Sequence, residues 1–156
     1  MNRIIGIGEM SISNDINDTI KTFALASCVG ITAYSVMRRV GGLIHIALPN
    51  PSSIEEIDTR RCFYASTGIP FFIKRMCQEY GCSKGELIIN IFGGANSIMK
   101  SDAFYVGRRN IEITNKILNE LNLKIHFSET GGIVSRTVEL DVATGEINIW
   151  HQNIII

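Results

Sequence analysis

Between Thr22 and Pro49 the chain carries no charge except Arg38 and Arg39, and Val, Ile, Thr and small residues dominate the stretch. β-Branched side chains are stiff at χ1 and pack well on a pleated surface, so the stretch predicts strand, turn and strand, with the turn at the arginine pair. Pro49, Asn50, Pro51 and two serines end it. Apolar strands of this kind need cover on their faces. A chain of 156 residues, 46% of them hydrophobic, is long enough to supply it from one core. The length predicts a single domain spanning residues 1–156.

The flanking segments follow from pattern. RIIGIGEMSIS, Arg3 to Ser13, reads as one N-terminal strand, and SNDIND as a polar turn. Asp58 is placed to cap a helix from about Thr59 to Tyr80, with Gly81 as its left-handed terminator and a kink or break at Pro70. ELIINIFGGAN, Glu86 to Asn96, is a buried strand entering a glycine turn. Ile111, Thr114, Ile117, Leu118 and Leu121 recur at helical spacing and give the clearest helix. KIHFSETGG and RTVELDVATGEINIWHQ supply three more strands, the last two joined at Ala143 to Glu146. The sum is a sheet-rich α+β fold with two main helices.

Fifteen basic residues balance fifteen acidic ones, so no long-range field draws the chain to nucleic acid or to an anionic membrane. Every apolar run stops short of the ~20 residues a membrane-spanning helix needs. The N-terminal MNRIIGIGEM is too broken for a signal peptide, so a cytoplasmic location is expected. Cys28, Cys62, Cys77 and Cys82 have no CxxC pairing, which predicts free thiols and no metal site.

Three functional side chains fall close together: Thr22, Cys28 and His45. A thiol of ordinary pKa near ~8.5 is mostly protonated at neutral pH and needs a base such as imidazole to attack a carbonyl. The imidazole in turn needs a partner that fixes its tautomer, which a threonine hydroxyl can be. On the residues alone, Cys28 reads first as a small buried hydrophobe, ahead of a nucleophile, and His45 first as a strand histidine bonded to a backbone carbonyl. A turn centred on Arg38 and Arg39 sets Cys28 opposite Pro49 and His45 opposite Thr32. That offset of four residues is too long for contact at ~3.4 Å per residue. Contact requires Cys28 to lie in a curled segment before the second strand, where Ala26, Ser27 and Gly30 are small enough to allow one. Leu43, His45 and Ala47 share one face of that strand, and Ile44 and Ile46 the other. His126 and His151 also alternate with apolar neighbours. FGGAN, Phe92 to Asn96, lacks the residues of a phosphate loop and reads as a tight strand exit. Arg108 and Arg109 read as a solvated pair.

TFALASC (Thr22 to Cys28), GGLIHIALP (Gly41 to Pro49), IFGGAN (Ile91 to Asn96), VGRRN (Val106 to Asn110) and ETGGIVSR (Glu129 to Arg136) together resemble, in order and over nearly the whole chain, the chemoreceptor glutamine deamidases called CheD. The resemblance implies that Cys28 is the nucleophile, His45 its general base and Thr22 the hydroxyl associated with the histidine, with no cofactor. It implies hydrolysis of selected glutamine side chains to glutamate in methyl-accepting chemotaxis receptors, with a CheC-type response-regulator phosphatase as a further partner. It also implies a layered α/β/β sandwich with mixed sheets, related to bacterial toxin deamidases. Ala24 and Ala26 stand where the family commonly has glycines, and Glu129, Ile133 and Ser135 depart from the later pattern. An alanine at either position is strained if the backbone there requires positive φ. Two other readings stay open: a binding module that has lost catalysis, and an amidase acting on a small molecule.

Overall fold

The computed structural model describes residues 1–96 and 105–154. Among the described residues, nine strands form two sheets. Strands β1 (Asn2–Ile5), β3 (Thr19–Leu25), β8 (Val134–Asp141) and β9 (Ile147–Asn153) make a four-stranded sheet in the order β1-β3-β8-β9. Strands β2 (Met10–Ser13), β5 (Val40–Ile46), β4 (Val29–Ser35), β6 (Ile88–Gly93) and β7 (Ile125–Thr130) make a five-stranded sheet in that order. Both sheets are mixed, because β1 pairs parallel with β3 and β6 parallel with β7 while the other pairs are antiparallel.

The layering follows from the alternation of side chains along the central strands. Ile44 and Ile46 of β5 point to one face, where they join Ile69, Phe72, Ile73 and Met76 of helix α2 (Ala65–Gln78) and Ile117 and Leu118 of helix α3 (Val106–Glu120). Leu43 points to the other face and meets Ile5, Ile20 and Val142. Leu25, Phe92 and Val138 close the same interlayer farther along. Helices, five-stranded sheet and four-stranded sheet thus stack as the expected α/β/β sandwich. Every residue of β4 and β5 is buried, because this hairpin lies in the middle layer and is covered on both faces.

Four details differ from the sequence reading. The N-terminal strand is two: the Gly6 N–H donates to Glu9 Oε1 at 2.6 Å, and the chain turns there into the other sheet. The stretch after Thr22 holds three strands, since β3 ends at Leu25 and β4 starts at Val29. The β4–β5 turn spans residues 36–39, which pairs Val29 with Ile46 and Gly30 with His45, and shifts the expected register by two residues. Asp58 lies inside a short helix, α1 (Glu55–Thr59), rather than capping the long one. The main helix starts at Ala65, where the carbonyls of Leu48 and Pro49 accept from the Ala65 and Ser66 N–H groups at 2.9 and 3.0 Å. Backbone thus does the work of a side-chain cap. Helix α2 runs through Pro70 uninterrupted, and Gly81 does adopt a left-handed φ of 74° after its end.

Candidate active site

Thr22 and His45 meet between the two sheets, both fully enclosed. Thr22 Oγ1 lies 2.6 Å from His45 Nδ1 and donates to the Ile5 carbonyl oxygen at 3.0 Å. A hydroxyl has a single proton, and here it goes to Ile5. Thr22 Oγ1 therefore accepts from His45 Nδ1–H, which fixes the tautomer and leaves the lone pair on Nε2. His45 Nε2 is buried and has no hydrogen-bond partner among the described residues. Burial lowers the His45 pKa to about 4, so the imidazole is neutral at physiological pH.

Inward orientation of Thr22 and Leu25 together depends on a β-bulge. Thr22 pairs with Val138 and Leu25 with Arg136, so Phe23 and Ala24 both oppose Thr137. Ala24 takes a left-handed φ of 54°, and its N–H donates to Thr137 Oγ1 at 3.1 Å. Of Ala24 and Ala26, Ala24 is the one at positive φ.

Cys28 occupies the bend between β3 and β4, partly buried. Gly30 is the cross-strand partner of His45, so Cys28 stands two residues along, a diagonal separation that a long side chain spans. Gly30 offers no side chain to intervene. Burial raises the Cys28 pKa, so at rest Cys28 is a thiol and the His45 imidazole is neutral.

The loop around Cys28 is held by its carbonyls. Ala95 N–H donates to the Ala26 carbonyl at 2.7 Å, Gly94 N–H to that of Cys28 at 2.8 Å, and Asn110 Nδ2 to that of Ser27 at 2.9 Å. Among the described residues, the N–H groups of Ser27 and Cys28 donate no hydrogen bond. The glycine turn seen in the sequence as a strand exit is thus a clamp. A Cβ on Gly93, whose φ is 99°, would collide with the Cys28 carbonyl oxygen. A Cβ on Gly107 would collide with the Ala95 carbonyl, so α3 also depends on a bare backbone to approach the clamp. Arg136, almost fully buried, ties this turn to the next loop: its guanidinium donates to Glu129 Oε2 at 2.7 Å, the Gly131 carbonyl at 3.0 Å and the Gly93 carbonyl at 3.5 Å. His151 reaches the same Glu129 oxygen at 2.8 Å.

The sequence reading named Thr22, Cys28 and His45 but not the Ile5 carbonyl, Asn110 or the amides of Gly94 and Ala95. The IFGGAN and VGRRN segments are the signal for Gly94, Ala95 and Asn110, though nothing in them marks a backbone or side-chain amide as important, and the Ile5 carbonyl has no signal. Among the described residues no group of three or more His, Cys, Asp or Glu side chains is arranged to hold a metal ion, and no helix is long and apolar enough to cross a membrane.

The fold defines a class first. A Bacillus licheniformis hypothetical protein, YfiH, superposes with a TM-score of 0.51 at 10% identity, over 77% of this chain and 49% of that one. The Neisseria meningitidis protein NMB0706 superposes with a TM-score of 0.52 at 8% identity, over 97% and 75%. These establish the two-sheet α+β architecture alone. The family is given by sequence. Residues 47–151 match the CheD family, described as CheD chemotactic sensory transduction. A protein of Syntrophotalea carbinolica named probable chemoreceptor glutamine deamidase CheD is 36% identical over 150 residues, 94% of this chain and 91% of that one. A Syntrophus aciditrophicus protein named probable chemoreceptor glutamine deamidase CheD 1 is 33% identical over 145 residues, 92% and 90%. A Pyrococcus horikoshii relative of the former name is 32% identical over 93% of this chain and 89% of its own. The chain belongs to the CheD family, and with it to the amide hydrolases. The family match begins two residues beyond His45, whereas the relatives' matches cover nearly the whole chain.

Proposed function

We propose that the protein, acting as a single domain in the cytoplasm, deamidates selected glutamine side chains of methyl-accepting chemotaxis receptors by a thioester route through Cys28, His45 and Thr22. The observation that carries the reading is the proton arrangement: Thr22 takes Nδ1–H, and a neutral, buried Nε2 is left without a partner.

The Cys28 thiol passes its proton to His45 Nε2 as Sγ bonds to the amide carbon, and the carbonyl electrons move to oxygen. With the thiol pKa raised and the imidazole pKa lowered, proton transfer accompanies the attack instead of preceding it. The unused N–H groups of Ser27 and Cys28 are suited to hold the oxyanion. The tetrahedral adduct collapses, the C–N bond breaks and His45 Nε2–H protonates the departing amine, which leaves as ammonia. A buried imidazolium is a strong acid and gives up this proton readily. Water, deprotonated by Nε2, then attacks the thioester. Glutamate is released and the thiol recovers its proton. The product places a new negative charge on the receptor surface, which changes repulsion there and so the balance of its signalling states.

The test is intact and peptide mass spectrometry of a receptor cytoplasmic fragment incubated with wild-type protein and with Cys28→Ala. Site-specific conversion of glutamine to glutamate that vanishes in the variant supports the reading. Retention of partner binding and cellular effect by Cys28→Ala would instead mark a binding module. A CheC-type response-regulator phosphatase is the second partner in this reading, and co-purification from the same cells checks it.

A further inference from the structure

One enclosed polar side chain has no part in the reaction steps above. Asn110, in the first turns of α3, is completely buried, and its Nδ2 donates twice: to the Ser27 carbonyl at 2.9 Å and to the Ala47 carbonyl at 3.0 Å. The orientation of the amide is unambiguous, since the reverse would set Oδ1 against two carbonyl oxygens. Its Oδ1 has no partner among the described residues. Leaving a buried acceptor unpaired costs about 1–3 kcal/mol, so the position retains an amide for its two donors.

Both acceptors lie where the β4–β5 ladder stops. The last paired residues are Val29 and Ile46, and the next on each chain are Cys28 and Ala47. Beyond that rung the Ala47 N–H turns away to the Phe63 carbonyl, so no ladder bond joins Ala47 to Cys28. Asn110 bridges the two chains at this point. The Ser27 carbonyl belongs to the same planar trans peptide as the Cys28 N–H, and the two groups point in opposite directions. Pinning the carbonyl onto Asn110 aims the Cys28 N–H the other way, where it has no acceptor among the described residues. A hydrogen bond accepted by a peptide carbonyl also polarises that peptide's N–H. An oxyanion formed on a carbon bonded to Cys28 Sγ lies close to this N–H, because Sγ, Cβ, Cα and N are consecutive atoms.

We infer that Asn110 is a positioning residue that fixes and polarises the 27–28 peptide so that the Cys28 N–H serves as an oxyanion donor, while its second bond holds the histidine-bearing chain at a set distance. The inference rests on Cys28 being the nucleophile.

The experiment compares wild type, Asn110→Asp and Asn110→Ser in two reactions: deamidation of a receptor cytoplasmic fragment, and alkylation of Cys28 by iodoacetamide. Alkylation develops no carbonyl oxyanion. Turnover number should fall roughly 10- to 100-fold, at or below the effect of deleting an oxyanion donor outright. KM and the alkylation rate should stay within about threefold, the pattern of an interaction made in the transition state. Unchanged turnover, or turnover and alkylation falling together, overturns the inference, the second outcome meaning that Asn110 only supports the loop. Should neither variant fold, amide hydrogen exchange on the wild-type protein decides. Ready exchange at Cys28, against protection at Val29, supports an unbonded donor, and protection at Cys28 overturns it. Failure of the underlying reading looks different: Cys28→Ala would retain turnover.

Discussion

Replacing Thr22 by valine removes one oxygen atom and disturbs two protons. The shape is kept, but the Ile5 carbonyl loses its donor at 3.0 Å and His45 Nδ1–H loses its acceptor at 2.6 Å, in a place water does not reach. Each unpaired buried group costs about 1–3 kcal/mol, so stability should fall by about 2–6 kcal/mol if the tautomer is kept. Moving the proton to Nε2, which has no partner among the described residues, only exchanges one unpaired N–H for another, so the ring is no longer held in the tautomer that acts as a base. The imidazolium that forms during the reaction also loses the acceptor for its Nδ1–H, a charge-assisted bond worth about 1.5–3 kcal/mol, which corresponds to a loss of roughly 10- to 150-fold in turnover beyond any effect of unfolding. Guanidinium titration measures the stability loss, mass-spectrometric deamidation the turnover, and ¹⁵N NMR of labelled imidazole reports directly which ring nitrogen carries the proton. Thr22→Ser, which keeps the hydroxyl, should stay close to wild type in all three. A valine variant with Nδ1–H intact and turnover within about twofold of wild type would refute the assignment of Thr22 as the group that sets the tautomer.

Ala24→Gly should raise stability by about 0.5–1 kcal/mol, because relief of the left-handed alanine exceeds the entropy cost of glycine; a thermal melt raised by about 1–4 °C checks this. Gly93→Ala should shift the Cys28 carbonyl and abolish most turnover even where the protein still folds, with slowed Cys28 alkylation as the readout. His45 has a folded pKa of about 4 against an unfolded value near ~6.5, so the unfolded chain binds the extra proton between those limits. Stability should therefore decline as pH falls from about 6.5 to 4, by up to about 3 kcal/mol from this residue, and His45→Gln should flatten the decline in guanidinium titrations across that range.

Much of the architecture was legible because it rests on local periodicity. The α3 pattern, the β8–β9 hairpin and the glycine exit of β6 each involve residues near in sequence, and each lies where expected. The errors arose where distant chain supplied what local signals normally supply. Leu48 and Pro49 carbonyls cap α2, so no capping side chain precedes Ala65, and Asp58 was the nearest false candidate. The split of the first strand depends on which sheet each half joins, which alternation does not encode. A turn centred one residue earlier moved the β4–β5 register by two residues, and that shift turned an unreachable Cys28–His45 offset into a diagonal one. Thr22, Cys28 and His45 carry reactive groups that composition advertises. Ile5, Gly94, Ala95 and Asn110 contribute through backbone groups or a plain amide, which are chemically silent until the fold places them.

The bulge at Phe23 and Ala24 bears on how such sites are recognised in other sequences. It spends one extra residue between Thr22 and Leu25 without changing which way either side chain points. A chain one residue shorter there, with a regular strand, would present the same threonine and leucine inward by simple alternation and lead into the same cysteine bend. The interval from threonine to cysteine is therefore not an invariant of the geometry. A search that insists on five intervening residues will pass over proteins with four that build an equivalent centre, whereas one keyed to the inward face of the strand will find both.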